Sequence, residues 1–155
     1  DEAQRAQFQY ERLSSESLQV VAGLNHPLRG AHDLTLTELA HWPWILYPPS
    51  TAVRKVSDDI FGSTGFTPTS GLVETPSFLF ALELMQTTDM LSLQPTALVD
   101  KFVNRGLLAR IPVELPDRMP DYGLITRLGE PPTPSAQAFM EVMREIAGSA
   151  ATDAS

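Results

Sequence analysis

The chain has 155 residues, of which 43% are hydrophobic and none is cysteine, and its formal net charge is −8. That length suffices for one domain with a hydrophobic core, and no stretch approaches the roughly 20 apolar residues of a membrane span. Without cysteine there can be no disulfide or thiolate metal site, which fits a reducing compartment. The negative charge and the scattered basic residues disfavour contact with DNA phosphates by this chain.

The first part of the chain alternates between apolar and polar stretches. Residues 6–16 are amphipathic and fit either a strand with a loop or a short helix, whereas Leu18–Ala22 is predicted to be a buried strand. Thr35 and Glu38 have the spacing of a capping box and predict a short helix that Pro43 ends. Residues 44–47 form the next predicted strand.

Two further helices are predicted after this strand. Ser50 or Thr51 caps the first, which ends before Gly62 and places three apolar residues on one side: Val53, Val56 and Ile60. After a short strand at Leu72–Glu74, Thr75 as cap and Pro76 at the first helical position predict the second helix. This helix is apolar on nearly every side, so we expect it to be covered from more than one direction.

The remaining elements continue the alternation. Residues 90–93 form a predicted strand, Thr96 caps a helix, and Gly106 supplies its left-handed C-terminal turn. Two more strands are predicted at residues 107–113 and 122–126. Thr133 and Pro134 open a last helix, and the small, polar tail at residues 148–155 is expected to be disordered. Short apolar strands alternating with helices predict an α/β fold with a mixed sheet.

The order and spacing of several short motifs resemble the effector-binding region of LysR-type transcriptional regulators. The motifs are Gly23-Leu-Asn-His-Pro-Leu28, Trp42-Pro-Trp-Ile-Leu-Tyr-Pro-Pro-Ser50, Val73-Glu-Thr75, Leu91-Ser-Leu-Gln-Pro95 and Tyr122-Gly-Leu-Ile-Thr-Arg127. The resemblance implies a three-layer αβα fold like half of a type II periplasmic binding protein, with the ligand between two halves. The first half would be largely absent from this chain.

The resemblance also implies a division of the chain. Residues 1–17 would end the first effector subdomain and cross to the second, which would occupy residues 18–106. Residues 107–147 would return to the first subdomain, followed by the tail at 148–155. Because their natural sheet neighbours are missing, we expect the two returning strands and the last helix to expose apolar faces and unpaired edges. We therefore expect the chain to be a fragment, or a partner chain to supply the missing strands.

Two strand-to-helix junctions are the candidate ligand-binding positions. The residues are Tyr47, Pro48, Pro49, Ser50, Thr51, Glu74 and Thr75. A helix N-terminus at a strand end favours an anion or carboxylate, but an ordinary proline-stiffened turn with capping residues explains the same pattern. By the resemblance, Tyr47 would stack or hydrogen-bond, the prolines would form an apolar wall, and Ser50 and Thr51 would donate to the ligand.

The sequence carries no catalytic or metal-binding pattern. His26, His32 and His41 lack the spacing of metal ligands, and His26 is better explained as a turn residue than as a base. Arg54 and Asp58 are four residues apart and predict a solvated, charge-compensated helix face. We expect no cofactor, no metal and no enzymatic activity.

A dimer surface is implied by the resemblance alone. Its residues would be Val53, Val56, Ile60, Leu72 and Val73, although a plain amphipathic surface helix fits the same pattern.

The expected function is therefore that of an inducer-binding domain of a cytoplasmic LysR-type regulator. Its expected partners are a small-molecule inducer, such as a carboxylic acid or sugar derivative, and further copies in a dimer or tetramer. It would contact DNA only through an absent N-terminal domain and would not contact a membrane. The alternatives are a transporter's solute-binding protein, which would need an export signal upstream of Asp1, and an enzyme on a related two-lobed scaffold.

Overall fold

The computed structural model describes residues 7–65, 68, 70–115, 119 and 121–153. The chain forms two compact units, a larger one at Ser17–Met119 and a smaller one from Asp1–Glu16 and Pro120–Ser155. The predicted boundary near residue 107 is therefore wrong, because the strand after Gly106 pairs inside the larger unit. Residues 1–6 of the predicted first segment lie outside the described residues.

Seven strands, four α-helices and one 3-10 helix are present in the described residues. They are β1 (Phe8–Ser14), β2 (Leu18–Ala22), the 3-10 helix (Leu36–His41), β3 (Trp44–Leu46), α1 (Ala52–Thr64), β4 (Leu72–Glu74), α2 (Phe78–Thr87), β5 (Leu91–Pro95), α3 (Thr96–Val103), β6 (Ala109–Arg110), β7 (Tyr122–Arg127) and α4 (Pro134–Asp153). Residues 6–16, which the sequence left open between strand and helix, contain β1.

The larger unit is built on a mixed five-stranded sheet in the order β4-β3-β5-β2-β6. β3 runs parallel to both β4 and β5, whereas β2 is antiparallel to β5 and β6. The carboxyl ends of β3, β4 and β5 therefore lie at the same edge of the sheet. This edge is where ligands of open α/β sheets gather.

Hydrophobic cores cover both faces of this sheet. Because side chains alternate along a strand, Trp44 packs with α1 on one face, while Ile45 packs with α2 and α3 on the other. The α1 side includes Val56 and Ile60, and the α2 side includes Met85. This arrangement confirms the three-layer αβα prediction.

Helix α1 begins where the sequence predicted and ends later. The Thr51 side chain accepts a hydrogen bond from the backbone N–H of Arg54, which makes Thr51 the N-cap. The predicted end before Gly62 is wrong, because the helix continues to Thr64 and Gly65 forms the left-handed C-cap at φ 68°. A glycine inside a helix costs about 1 kcal/mol and does not by itself stop it.

Helix α2 also departs from its prediction. Ser77, not Thr75, is the N-cap, and its hydroxyl accepts from the N–H of Phe80. Thr75 is instead held by the sheet, since its N–H donates to Leu46 O at 3.0 Å. Only Ala81 and Met85 of this helix are fully buried, so the expected cover from several directions is wrong.

The segment from α3 to β6 is shorter and more irregular than predicted. Thr96 begins α3 but does not cap it, because its hydroxyl bonds to the Ser17 carbonyl at 3.0 Å. Gly106 has the predicted left-handed conformation, with φ 64°. Of the strand predicted at residues 107–113, only Ala109–Arg110 pairs as a strand, and Val113 adds one isolated bridge to Leu34.

The smaller unit is an antiparallel pair of β1 and β7 with α4. Glu11 and Arg144 form a bidentate ion pair, with hydrogen bonds of 2.7 and 2.8 Å. The Arg144 guanidinium lowers the pKa of the Glu11 carboxyl. The predicted disordered tail is wrong for residues 148–153, whose backbone continues α4, while residues 154–155 lie outside the described residues. The expected apolar exposure is confirmed for the second returning strand and the last helix, for example at Ile125, Phe139 and Ile146, but it is wrong for residues 107–113, where Leu108 and Ile111 are buried.

His26 is a turn residue, as the sequence predicted, and it is buried. Its Nδ1 accepts from the N–H of Leu28 at 3.1 Å, and its Nε2 lies 3.3 Å from the carbonyl of Asp89. A carbonyl can only accept, so Nε2 carries a proton. Because Nδ1 accepts a hydrogen bond, it carries none, and the ring is neutral. The ring also packs 4.6 Å from that of Trp42, and burial lowers the pKa of His26.

We expect acid to destabilise the fold through His26. Its folded-state pKa is lower than that of an unfolded chain, about 6.5, so the unfolded state binds the proton more readily. The contribution of neutral His26 to the free energy of unfolding is complete above the unfolded-state pKa of about 6.5 and is lost as the pH falls below it. Urea unfolding at pH 7.5 and 5.5 should show a smaller pH dependence in His26→Gln than in the wild-type chain. His41→Gln serves as the control, and an unchanged pH dependence in His26→Gln would contradict the assignment.

A side chain at Gly23 should destabilise the larger unit. A Cβ there would lie 2.0 Å from the carbonyl oxygen of Met85, a backbone atom that cannot easily move. We expect Gly23→Ala to lower the free energy of unfolding by about 1–3 kcal/mol, measured by chemical denaturation. Gly62→Ala is the matched control, because no atom beyond the adjoining backbone of its own helix lies within 4 Å of a Cβ added there, and alanine favours a helix. Equal stability of the two variants would refute the steric argument.

Candidate functional site

The predicted ligand-binding residues meet at one edge of the larger sheet. Leu46 at the end of β3 pairs with Glu74 at the end of β4, and Ile45 pairs with Ser92 of β5. The parallel strands thus bring Tyr47, Thr75 and Gln94 to the same edge. Two of these are joined directly, because the Tyr47 hydroxyl donates to Gln94 Oε1 at 2.8 Å.

The turn between β3 and α1 is closed by its own hydrogen bonds. The N–H and the hydroxyl of Thr51 both bond to the carbonyl of Pro48, at 3.0 and 2.9 Å. Tyr47 and Pro48 are half-buried, whereas Pro49 and Ser50 are exposed. Thr51 is thus committed to the turn and the helix cap, and Ser50 is the hydroxyl of this segment that faces solvent.

The second junction holds its predicted residues in structural roles. Thr75 Oγ1 accepts from the N–H of Ser77 at 3.1 Å, ahead of the cap that Ser77 itself provides. Glu74 is partly exposed and forms an ion pair with Arg54, so its carboxylate is compensated within the site.

Arg54 is one of the site residues that sequence reasoning missed. Its predicted ion pair with Asp58 is confirmed at 2.8 Å. However, its side chain is only 13% exposed, and its Nη1 also donates to the carbonyl of Tyr47 at 2.9 Å and to Glu74. The hydrogen bond with Glu74 raises the pKa of Arg54; burial of the side chain partly opposes this effect, and the bond with Asp58 adds to it. Arg54 therefore ties the ends of β3 and β4 to α1. The spacing of four residues revealed only the Asp58 contact.

Two buried polar residues of β5 were also missed. Ser92, between the apolar Leu91 and Leu93, is fully buried, and Gln94, which follows Leu93, is 2% exposed. Gln94 Nε2 donates to Ser92 Oγ at 2.8 Å, and Ser92 Oγ donates to the carbonyl of Ile45 at 2.9 Å. Polar side chains at alternate positions of an otherwise apolar strand were the signal in the sequence.

The residues expected at a dimer surface are divided by the fold. Val56 and Ile60 are 6% and 1% exposed and belong to the core of this chain, so a role for them in a partner contact is wrong. Val53 and Val73 are half-buried, and Leu72 is 46% exposed. Only these three keep apolar surface that a second chain could cover.

In the described part of the chain, none of the helices combines the length and the apolar content that a membrane span requires. Nor do three His, Asp or Glu side chains come together there as metal ligands would.

Comparisons with known proteins identify the family. The profile of the LysR substrate binding domain matches residues 1–148. The uncharacterized HTH-type transcriptional regulator YdcI of Escherichia coli strain K12 is 29% identical over 136 residues, which cover 88% of this chain and 44% of that protein. This chain belongs to the LysR substrate binding domain family, and it spans less than half the length of that relative.

Solved structures share the fold. The effector binding domain of QuiR in complex with shikimate has a TM-score of 0.71 at 18% identity and matches 94% of this chain and 68% of that domain. The BenM effector binding domain with its effector benzoate has a TM-score of 0.69 at 23% identity, over 93% of this chain and 65% of that domain.

Replacing Arg54 should loosen the edge of the sheet. Arg54→Met removes hydrogen bonds to Glu74, Asp58 and the Tyr47 carbonyl, and it leaves two carboxylates without their cation. We expect about 1–3 kcal/mol less stability toward urea, with a smaller loss in high salt, which screens the exposed carboxylates. The exposed Lys55→Met variant is the control. If both variants unfold at the same urea concentration, Arg54 does not tie these elements together.

Proposed function

We propose that this chain is the inducer-sensing part of a LysR-type transcriptional regulator. The family match supports the class of protein. The observation that carries the proposal is the convergence of Tyr47, Ser50 and Gln94 at the carboxyl ends of β3 and β5, next to the start of α1. This is the edge of an open α/β sheet where ligands bind. The proposed action is binding and release without catalysis.

The proposed ligand is a small carboxylic acid, with or without hydroxyl groups. Shikimate and benzoate, bound by the two structural neighbours, are both carboxylates. The start of α1 offers backbone N–H groups and the positive end of its dipole. The Arg54 guanidinium compensates the nearby charge of Glu74, which reduces the repulsion that an acidic ligand would meet.

The proposed mechanism is a population shift. A ligand that binds one arrangement of the effector region more tightly than another moves the equilibrium toward the first arrangement. In the intact regulator this shift would alter the spacing of DNA-binding domains outside this chain. We place this regulator in the cytoplasm, as a homo-oligomer acting on DNA. Val53, Leu72 and Val73 are proposed to contribute to its subunit contact.

The proposed division of the effector region follows the two units. The larger unit would be the second effector subdomain, and the smaller unit would be the part of the first subdomain that this chain contains. The exposure of Ile125 and Phe139 in the smaller unit supports this division, since such apolar side chains are expected to pack against further strands or helices.

Ser50→Ala in the intact regulator is the test of the site. We expect a weaker inducer response with unchanged folding, because Ser50 is exposed while Thr51 caps α1. Loss of one hydrogen bond of about 1 kcal/mol would raise the inducer Kd roughly fivefold. Calorimetry with shikimate, benzoate and related acids would measure the inducer Kd, and the affinity for DNA would be measured alongside it.

Two further variants complete this test. Ser63→Ala is the control, because the Ser63 hydroxyl bonds to the Ile60 carbonyl inside α1. Thr51→Val should lower stability by about 1 kcal/mol through loss of the cap, so its binding result is interpreted after its melting curve. An unaltered inducer response in Ser50→Ala would remove Ser50 from the site, and a regulator that binds no small acid would contradict the proposed ligand class.

A further inference from the structure

A continuous series of three hydrogen bonds, which we call the relay, lies behind the Tyr47 hydroxyl. The hydroxyl bonds to Gln94 Oε1 at 2.8 Å, Gln94 Nε2 bonds to Ser92 Oγ at 2.8 Å, and Ser92 Oγ bonds to the carbonyl of Ile45 at 2.9 Å. Ser92 and Gln94 are almost completely buried, so water does not compete for these bonds. The relay runs from the candidate site into the sheet.

The donor and the acceptor of every hydrogen bond in the relay follow from its innermost bond, between Ser92 and the Ile45 carbonyl. The Ile45 carbonyl can only accept, so the Ser92 hydroxyl must use its single proton there. Ser92 Oγ must then accept from the next group, which requires the Gln94 amide nitrogen to face it. The Gln94 oxygen therefore faces Tyr47, and Tyr47 must donate. One backbone carbonyl thus determines the position of the phenol proton three bonds away.

We propose that Gln94 is a specificity-determining positioning residue of the ligand site. It binds the only proton of the Tyr47 hydroxyl, so that this oxygen can take part in any further hydrogen bond only as an acceptor. A ligand group that contacts it must then be a donor, such as a hydroxyl. This inference rests on the proposed function, because it assumes that Tyr47 meets the ligand.

Because the Tyr47 oxygen can only accept a further hydrogen bond, a carboxylate is excluded from the position beside it. A carboxylate oxygen against the phenol oxygen would have no proton between them, and the two would repel. Turning the Tyr47 proton outward would leave Gln94 Oε1, a buried acceptor, without its partner. The ligand class favoured by this site is therefore a hydroxylated acid whose hydroxyl faces Tyr47 and whose carboxylate lies elsewhere, for example toward Ser50.

Matched pairs of acids test this preference in the intact regulator. The pairs are shikimate with cyclohex-1-enecarboxylate, 4-hydroxybenzoate with benzoate, and gluconate with hexanoate, measured by calorimetry. We expect the hydroxylated member of at least one pair to bind about tenfold more tightly than its partner, which corresponds to one well-formed hydrogen bond. Equal affinity within every pair that binds would overturn the proposal.

Two variants separate the role of the relay from general effects on the site. Tyr47→Phe and Gln94→Met should each reduce the preference to less than about threefold. In Gln94→Met the freed phenol proton should also improve binding of the acid without a hydroxyl. The control is Tyr10→Phe in the smaller unit, whose hydroxyl bonds to the carbonyl of Asp121. A preference that survives both Tyr47→Phe and Gln94→Met would refute the assignment.

A ligand-free measurement keeps the two proposals distinguishable. If none of the six acids binds, the proposed function fails for this ligand class, and the polarity is decided by NMR of the intact regulator with ¹⁵N-labelled glutamine. Nuclear Overhauser contacts from the Gln94 amide protons to the β protons of Ser92 would support the relay. Contacts from those protons to the ring protons of Tyr47 beside its hydroxyl would overturn it.

Discussion

The burial of β3 between two parallel neighbours is the constraint on which the candidate site depends. Trp44, Ile45 and Leu46 are 0%, 1% and 3% exposed, and β4 and β5 pair with the strand on its two sides. The indole N–H of Trp44 is also bonded, to the carbonyl of Leu39 at 3.0 Å. Because β3 is held on both faces and both edges, the residue that follows it, Tyr47, leaves the sheet at a defined point. The turn, the start of α1 and the hydrogen-bond relay are all positioned from there.

Charge at this edge is balanced locally although the chain as a whole is strongly acidic. The net charge is −8, yet Arg54 meets both Glu74 and Asp58 and is itself largely covered. A mostly buried guanidinium in contact with two carboxylates and a backbone carbonyl joins elements more effectively than an exposed ion pair, which contributes little. The same arrangement would reduce the repulsion that the proposed acidic ligand meets at this edge.

The two units differ in how they are stabilised. The larger unit has cores on both faces of a five-stranded sheet, whereas none of the described side chains of the smaller unit is fully buried. A two-stranded sheet is marginal by itself, and the ion pair of Glu11 with Arg144 is partly exposed and therefore weak. The smaller unit is consequently expected to need further chain against it for independent stability.

The sequence by itself determined the order of elements, the alternation of strands with helices and the residues at the strand ends, because apolar periodicity and local capping are encoded by neighbours along the chain. The αβα layering was implied by the resemblance to LysR-type regulators. Even so, local rules misplaced caps and ends, as at Thr75, where pairing with β3 overrides the capping pattern. Only the tertiary structure decided that Val56 and Ile60 are core residues, that Arg54 reaches Glu74, and that Tyr47, Gln94 and Ser92 form one relay. These contacts join residues up to 47 positions apart, and spacing along the chain carries no information about which strands become neighbours in a sheet.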